Sequence, residues 1–531
     1  MNLLKSTGII GGMTMVSRLF GFVRDVLIAR ILGASALSDA WQLAFQMPNI
    51  FRRLFAEGAF SAAFVPLFNG KMEESEGRGA AQGFVTEVLS VFVPILLLFT
   101  AVMMIIMPGA IWVLDDFGRG GRSSDFAVSL ARITFPYLGL ISVTTLFAAI
   151  LNSLSRFTAA AAAPILLNIC MITGMLGVLY IDGGHDTKRA AYVLAFAVAI
   201  AGLLQMFWLY YWARKSGFRF HLARPKFTED VRMLGRLIVP AIFGAGIYQV
   251  SRFVDLFFLG RLQEGSFTYL AMADRLNQLP LGIIGIALGT AILPALSRFI
   301  AKDDTGGAQR VQSNAIELGM LLTVPAAVGL YFTAQPLVSA IYLGGKYGMA
   351  DVDMTAAVVS MLVIGLPAYV LVKVLTPAFF ARKDTRTPVM TAAISLAINI
   401  VLNLILIPIM GVPGLALAGA IAAWSNTVML YFILHRRGYY HVEGSLLLRI
   451  GRIAFSAAAM GAVLYYAMPY GASYYGGNIG ERALSIALLC GAGAIVYFAL
   501  AWMTGAIDRD KINMLRRRKA AEQAANTEGN A

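Results

Sequence analysis

The stretch SRLFGFVRDVLIARILG (17–33) sets Arg18, Arg24, Asp25 and Arg30 among Leu, Phe, Val and Ile. A charged side chain near the centre of a bilayer costs about 2.5–3.5 kcal/mol on the mildest scale. Such a cost is tolerated where the charge faces water or a ligand. Other apolar stretches repeat the pattern with Asp39, Arg52, Arg53 and Glu57, with Arg252 and Asp255, and with Asp274 and Arg275. If Arg18, Arg24, Arg52 and Arg275 all faced lipid, the cost would reach about 10 kcal/mol. The spacing therefore predicts a water-filled cavity lined mainly by arginine. A guanidinium fork binds phosphate oxygens in bidentate geometry and stays charged at any physiological pH. The expected cargo is an anion, and a phosphate or pyrophosphate ahead of a carboxylate.

Other charges have plainer readings. Arg18 and Asp25, seven apart, share a face of a regular helix, whereas Arg24 leaves that face unless the helix bends near Gly21. Arg53 and Glu57, four apart, suit a structural ion pair. Arg30 and Arg261 sit near helix ends, where guanidinium groups snorkel to headgroups. Asp255, Asn399 and Asn403 offer oxygen ligands for Na⁺. The competing explanation is that the asparagines only hydrogen-bond between helices.

The elements that must position these residues are membrane helices. Of the 531 residues, 58% are hydrophobic and only 14% charged, against about 25% in soluble domains. Segments of about 20 apolar residues span a bilayer, and about fourteen can be marked. The first two, 7–32 and 38–68, and the seventh and eighth, 231–260 and 267–298, hold most of the charges. Pro48 and Pro280 interrupt the second and the eighth. The net charge of +14 is a topology signal here and not a nucleic-acid one. With both termini inside, the inside loops hold Lys71, Arg78, Arg156, the basic run 214–226, Arg298, Lys302, Arg310, Arg382, Lys383, Arg386, Arg436 and Arg437. The outside loops hold only Arg119, Arg122, Lys188, Arg189, Arg261, Lys346 and Arg482. The two cysteines, Cys170 and Cys490, lie inside apolar spans and suggest neither a disulfide nor a metal site. The four histidines lie in loops or at helix ends, and no HExxH or P-loop motif occurs, so a chemical enzyme is not expected.

An internal repeat organises the helices. The segments starting at Pro136 and Pro367 carry an Asn-Ile pair at the same offset, SRLF (17–20) finds SRFV (251–254), and Pro48 finds Pro280. An offset of six helices, an even number, gives two copies of the same orientation, as in transporters with parallel repeats. The expected fold is an all-α polytopic membrane protein of two six-helix lobes plus two added helices. The lobes are 1–213 and 231–437, joined by a cytoplasmic linker 214–230; the added helices lie in 438–504, and a polar cytoplasmic tail covers 505–531.

The residues of 17–68, above all PNIFRRLFAEGAFSAAFVP (48–66), together with ADRLNQLPLGIIGIALGTAILP (273–294), closely resemble the MviN or MurJ family of lipid II flippases. The resemblance covers essentially the whole chain. It implies a member of the multidrug/oligosaccharidyl-lipid/polysaccharide exporter superfamily that moves an undecaprenyl-pyrophosphate-linked peptidoglycan precursor to the outer leaflet of the cytoplasmic membrane. It implies cavity arginines at Arg18, Arg24, Arg52 and Arg275. Ser17 and Asp39 also fall at family-important positions, and the last two helices form a groove for the lipid tail; Asp25, Arg53, Glu57, Arg252 and Asp274, from the charged constellation, join Ser17 and Asp39 as supporting or gating candidates. The family's sodium-site aspartate is replaced by Asn403. The driving force is then Na⁺ or the membrane potential. Partners are lipid II and membrane lipids, with other cell-wall synthesis proteins as further candidates and no nucleic acid. Three rivals stand beside this reading. They are a flippase for another undecaprenyl-linked saccharide, a drug antiporter of the same superfamily, and a membrane glycosyltransferase using Asp115, Asp116 or Asp125.

Overall fold

The computed structural model describes residues 3–55, 59–75, 77–114 and 122–507. Regular structure among them is helical, with one isolated β-bridge between Gly344 and Tyr347. In chain order the helices are α1 (Leu3–Leu32), α2 (Ala36–Phe55), α3 (Ala59–Glu73), α4 (Arg78–Leu114), α5 (Arg122–Thr134), α6 (Tyr137–Ser153) and α7 (Phe157–Asp182). They continue with α8 (Thr187–Lys215), α9 (Glu229–Leu259), α10 (Ser266–Pro280), a π-helical turn Leu281–Gly285, α11 (Ile286–Ile300), α12 (Thr305–Phe332) and α13 (Ala334–Tyr342). The last are α14 (Met349–Ile364), α15 (Leu366–Phe380), α16 (Arg386–Met410), α17 (Val412–Arg436), α18 (Gly444–Tyr475) and α19 (Ile479–Met503).

Eleven helices or helix pairs among the described residues are long and apolar enough to cross a bilayer. The expected number was about fourteen; α1, α2 with α3, and α9, which carry much of the charge, fall outside that set. By contact the chain groups into two units. One is Met1–Met272 with Tyr342–Val352, and the other is Ala273–Ile341 with Asp353–Ala531. The anticipated boundary at 214–230 thus falls inside the first unit.

Within the first unit, α1 packs on α7, α7 on α8, and α2 on α5. Phe60, Phe64 and Phe68 recur every four residues on α3, so their rings stack at 5.4 and 5.6 Å along one helix face. The 214–230 segment is laid along α4 and is not a free linker. The Arg219 N–H donates to Gln82 Oε1 (2.9 Å), the Ala223 N–H to Ser90 Oγ (2.8 Å) and the Thr228 hydroxyl to Glu87 Oε2 (2.7 Å). Phe218 from this segment is fully buried and packs 5.5 Å from the Phe68 ring. These bonds deliver α9 onto α3 and α4, where Lys71 pairs with Asp230 at 3.0 Å.

Within the second unit, α12 packs on α15 and α18, α16 on α17, and α18 on α19. The added pair is fastened by Arg449 to Glu317 (2.9 Å), by the Tyr497 hydroxyl to the Leu321 carbonyl (2.7 Å) and by Arg482 to the Ser339 carbonyl (3.0 Å). Asn478 and Glu481 cap α19 reciprocally, each side chain accepting the other's backbone N–H.

Of the repeated prolines, the Pro136 and Pro367 pair acts alike, and the Pro48 and Pro280 pair does not. Pro136 opens α6 after α5, and Pro367 lies in the first turn of α15 after α14, so both copies break a span at the equivalent place. Pro48 does not interrupt its helix: α2 runs through it to Phe55. A proline denies an N–H to the carbonyl four residues back. That carbonyl, on Ala44, instead accepts the buried Thr134 hydroxyl of α5 at 3.0 Å. Pro280 does break the regular helix, and the chain passes into the π-helical turn directly after it.

Candidate functional site

Of the four arginines expected to line a cavity, Arg24 is the most enclosed: it is 6% exposed, as is its neighbour Asp25. Its Nε and Nη2 both donate to Asp25 Oδ1, at 2.9 and 2.6 Å. Its Nη1 donates to Asn168 Oδ1 of α7 at 2.9 Å, and its guanidinium stands 5.8 Å from the Phe45 ring centroid. Asn168 is held in turn, because its Nδ2 donates to the Ser17 carbonyl at 3.0 Å. Gly21 lies beside the carboxamide, where a Cβ would stand in ordinary van der Waals contact with Asn168 at 3.7 Å. The seven-residue spacing had put Asp25 with Arg18. The structure pairs it with Arg24, since a long guanidinium arm wraps around its own helix to reach the adjacent carboxylate.

Arg18 is half-buried on α1, as is Ser17. Arg52 is half-buried on α2, and its Nε donates to Asn49 Oδ1 at 3.2 Å. Arg53 is exposed. Its expected partner Glu57 lies outside the described residues. Arg252 and Asp255 are half-buried on α9, and Asp274 and Arg275 half-buried on α10, where Asp274 Oδ2 accepts from Gln278 at 2.6 Å. Asn399 and Asn403 are buried on α16 and bonded to each other, Nδ2 of Asn403 to Oδ1 of Asn399 at 3.1 Å. Among the described residues, no group of three or more His, Cys, Asp or Glu is arranged to hold a metal ion.

Asp39 has a definite structural task. Its carboxylate accepts the Gly265 N–H (2.7 Å), the Thr268 N–H (3.0 Å) and the Thr268 hydroxyl (2.8 Å). It therefore caps the N-terminus of α10 from another helix, satisfying donors that no intrahelical carbonyl reaches. Nearby, the Tyr269 hydroxyl donates to Asp351 Oδ1 at 2.9 Å.

A strap at 343–348 closes over the end of α1. The Lys346 N–H donates to the Arg30 carbonyl at 2.8 Å, and its Nζ donates to the His185 carbonyl (2.8 Å) and Thr187 Oγ1 (2.7 Å). Gly345 has φ +58°, and a Cβ there would run into the Arg30 carbonyl oxygen, so only glycine lets the strap lie this close. Sequence reasoning missed both Asn168 and this strap. The shared Asn-Ile offset of the repeat was the one signal for Asn168; the strap had none beyond its glycines.

These long, kinked, charge-bearing helices make the chain a multi-pass membrane protein. The fold is that of the exporter superfamily containing the multidrug MATE transporters. An inward-facing MATE family structure of that superfamily matches with a TM-score of 0.61 at 14% identity, over 81% of this chain and 97% of that one. A structure of the lipid II flippase MurJ in an inward closed conformation matches with a TM-score of 0.76 at 24% identity, over 93% of this chain and 98% of that one. Residues 28–479 match the family model described as lipid II flippase MurJ. A probable lipid II flippase MurJ of Rhizobium tropici is 37% identical over 523 residues, 97% of this chain and 96% of that protein. One from Rickettsia prowazekii is 32% identical over 512 residues, 96% of this chain and 99% of that protein. The chain belongs to the MurJ family of lipid II flippases.

Proposed function

We propose that this chain moves lipid II, the undecaprenyl-pyrophosphate-linked peptidoglycan precursor, from the inner to the outer leaflet of the cytoplasmic membrane. It works by alternating access with both termini cytoplasmic. Arg18, Arg24, Arg52 and Arg275 engage the pyrophosphate, while the isoprenoid tail stays in lipid along α18 and α19. The observation that carries this reading is the Arg24 guanidinium, buried on α1 and pre-oriented by Asp25 and Asn168. A fork fixed in this way loses little entropy on binding a phosphate oxygen pair. Asp25 supplies a carboxylate that a pyrophosphate can displace, since both accept from the same N–H edge.

An inside-negative potential favours outward movement of a bound anion by about 2.3 kcal/mol per charge per 100 mV. Sodium coupling has one observation in its favour: Oδ1 of Asn403 is buried without a hydrogen-bond donor, which suits a hard cation. Replacing Na⁺ by K⁺ in a transport assay separates the two sources of drive.

The test of the function is outer-leaflet exposure of lipid II in cells depleted of any other flippase. It compares the native protein with an Arg24→Ala, Arg275→Ala double variant at equal membrane abundance. Exposure that collapses only in the variant supports the reading. Exposure equal in both makes the arginines structural. A native protein that never exposes lipid II carries another lipid-linked saccharide.

A further inference from the structure

Lys373 lies within the apolar span Met349–Phe380, and neither the arginine constellation nor its supporting carboxylates include it. It stands seven residues before Phe380, about 10 Å along α15 from the end that meets the basic loop Arg382, Lys383, Arg386. A lysine that close to an interface ordinarily snorkels out to it. Here the stem runs the other way.

Two glycines of the neighbouring span fix its direction. A Cβ on Gly289 would stand 3.6 Å from the Lys373 carbonyl oxygen, so the backbone of Lys373 is level with Gly289. A Cβ on Gly285 would stand 3.2 Å from Lys373 Cδ, so the far end of the stem is level with Gly285. Between those levels lie four residues, about 6 Å of helix, and the climb is away from the basic-loop end at Ile300. It follows the tilt of every helical Cα–Cβ bond toward the helix N-terminus. Gly285 itself stands 15 residues before Ile300 and 19 after Ser266, about 22 Å and about 28 Å from the two ends of its span. The stem therefore carries the ammonium toward the middle of the span.

Three further features argue against a lipid-facing or purely packed lysine. α15 is enclosed by α11, α12, α17 and the π-helical turn, and its span is the most buried of the eleven. Lys373 is nevertheless half-exposed, flanked in sequence by the fully buried Val370 and Val374. The glycine slot that admits its stem is made by the π-helical turn Leu281–Gly285, a form of helix that recurs at functional sites. That turn follows Arg275 by six residues in the same span.

We propose that Lys373 is a further substrate-binding cation, whose ammonium meets the pyrophosphate of the lipid-linked substrate at mid-membrane, on the basic-loop side of Arg275. The inference rests on the flippase reading above and adds one group to it. As a compact point charge, lysine gives the diphosphate a partner that does not demand the fixed angles of an arginine fork, which suits a group in transit between arginines.

The experiment measures binding of lipid II to the purified full-length protein in nanodiscs, with thermal stability read in parallel. Lys373→Met keeps the stem against Gly285 and removes the charge, while Lys373→Arg keeps the charge. The expected result is binding weakened about tenfold or more in Lys373→Met at unchanged melting temperature, and largely retained in Lys373→Arg. Native-like binding by Lys373→Met overturns the proposal, as does a loss shared by both variants with a lowered melting temperature, which is the signature of packing. If the native protein binds a different undecaprenyl-pyrophosphate saccharide with the same dependence on Lys373, the lipid II assignment fails and the role of Lys373 stands. If the native protein binds none of these lipids, the flippase reading fails and takes this inference with it.

Discussion

At the scale of single residues, the Arg24–Asp25 pair makes separate predictions for stability and for transport. Removing one member of a buried pair leaves an uncompensated charge and costs about 3–5 kcal/mol. Arg24→Ala alone should therefore lower the melting temperature of the purified protein. The double variant Arg24→Ala, Asp25→Ala should recover most of that loss while transport stays absent. Recovery of both properties would mean that the arginine matters only as a counter-charge. Asp384 gives a pH prediction outside the membrane spans. The Thr387 hydroxyl and, after it, the Thr387 N–H and Arg437 hold its pKa down at about 2, against an ordinary 3.8. A depressed carboxylate adds stability that is complete above the ordinary value and vanishes as pH falls through the folded one. The melting-temperature gap between the native protein and Asp384→Asn should hold steady above about pH 5 and close between about pH 4 and pH 2. A gap that does not change with pH would count against an ionic origin.

At the scale of elements, the cap on α10 and the strap over α1 are the joints most open to test. Asp39→Ala removes the acceptor for two backbone N–H groups and a hydroxyl, and lost caps cost about 1–2 kcal/mol. Faster amide exchange confined to 265–270 is the expected result; unchanged protection there would show that water or another acceptor replaces the carboxylate. Gly345→Ala forces a side chain against the Arg30 carbonyl at a positive φ. It should release the strap, exposing the amides of 343–348 to exchange. The same scale shows how far periodicity and prolines carried. The break after Pro280 was legible because proline acts through local geometry. The continuity of α2 through Pro48 was not, because it depends on a hydroxyl 90 positions away in the chain.

At the scale of the whole molecule, composition marks a multi-pass membrane protein, and the charge asymmetry supports the proposed orientation with both termini cytoplasmic. If the potential drives the anion outward, collapsing it with an ionophore should slow lipid II exposure in cells at constant precursor supply. An unchanged rate would leave sodium or the precursor gradient as the source. The 43 basic residues against 29 acidic ones set that field, but they do not say which basic groups touch cargo.

The sequence by itself determined the membrane class, the all-helical architecture and most of its spans, and it singled out the arginines that are costly to place in lipid. These follow from hydropathy and charge, which are properties of short windows and act wherever the window sits. Only the tertiary structure decided that Asp25 serves Arg24, that Asn168 holds both Arg24 and the Ser17 carbonyl, that Asp39 caps a helix more than 220 residues away, and that 214–230 is zipped along α4. It also decided which way Lys373 points. Each of these is a hydrogen bond or a steric slot between distant segments, set by angles and by ångström-scale distances. Residue order alone leaves such contacts open, because many partners of the same chemistry compete until packing brings one of them within reach.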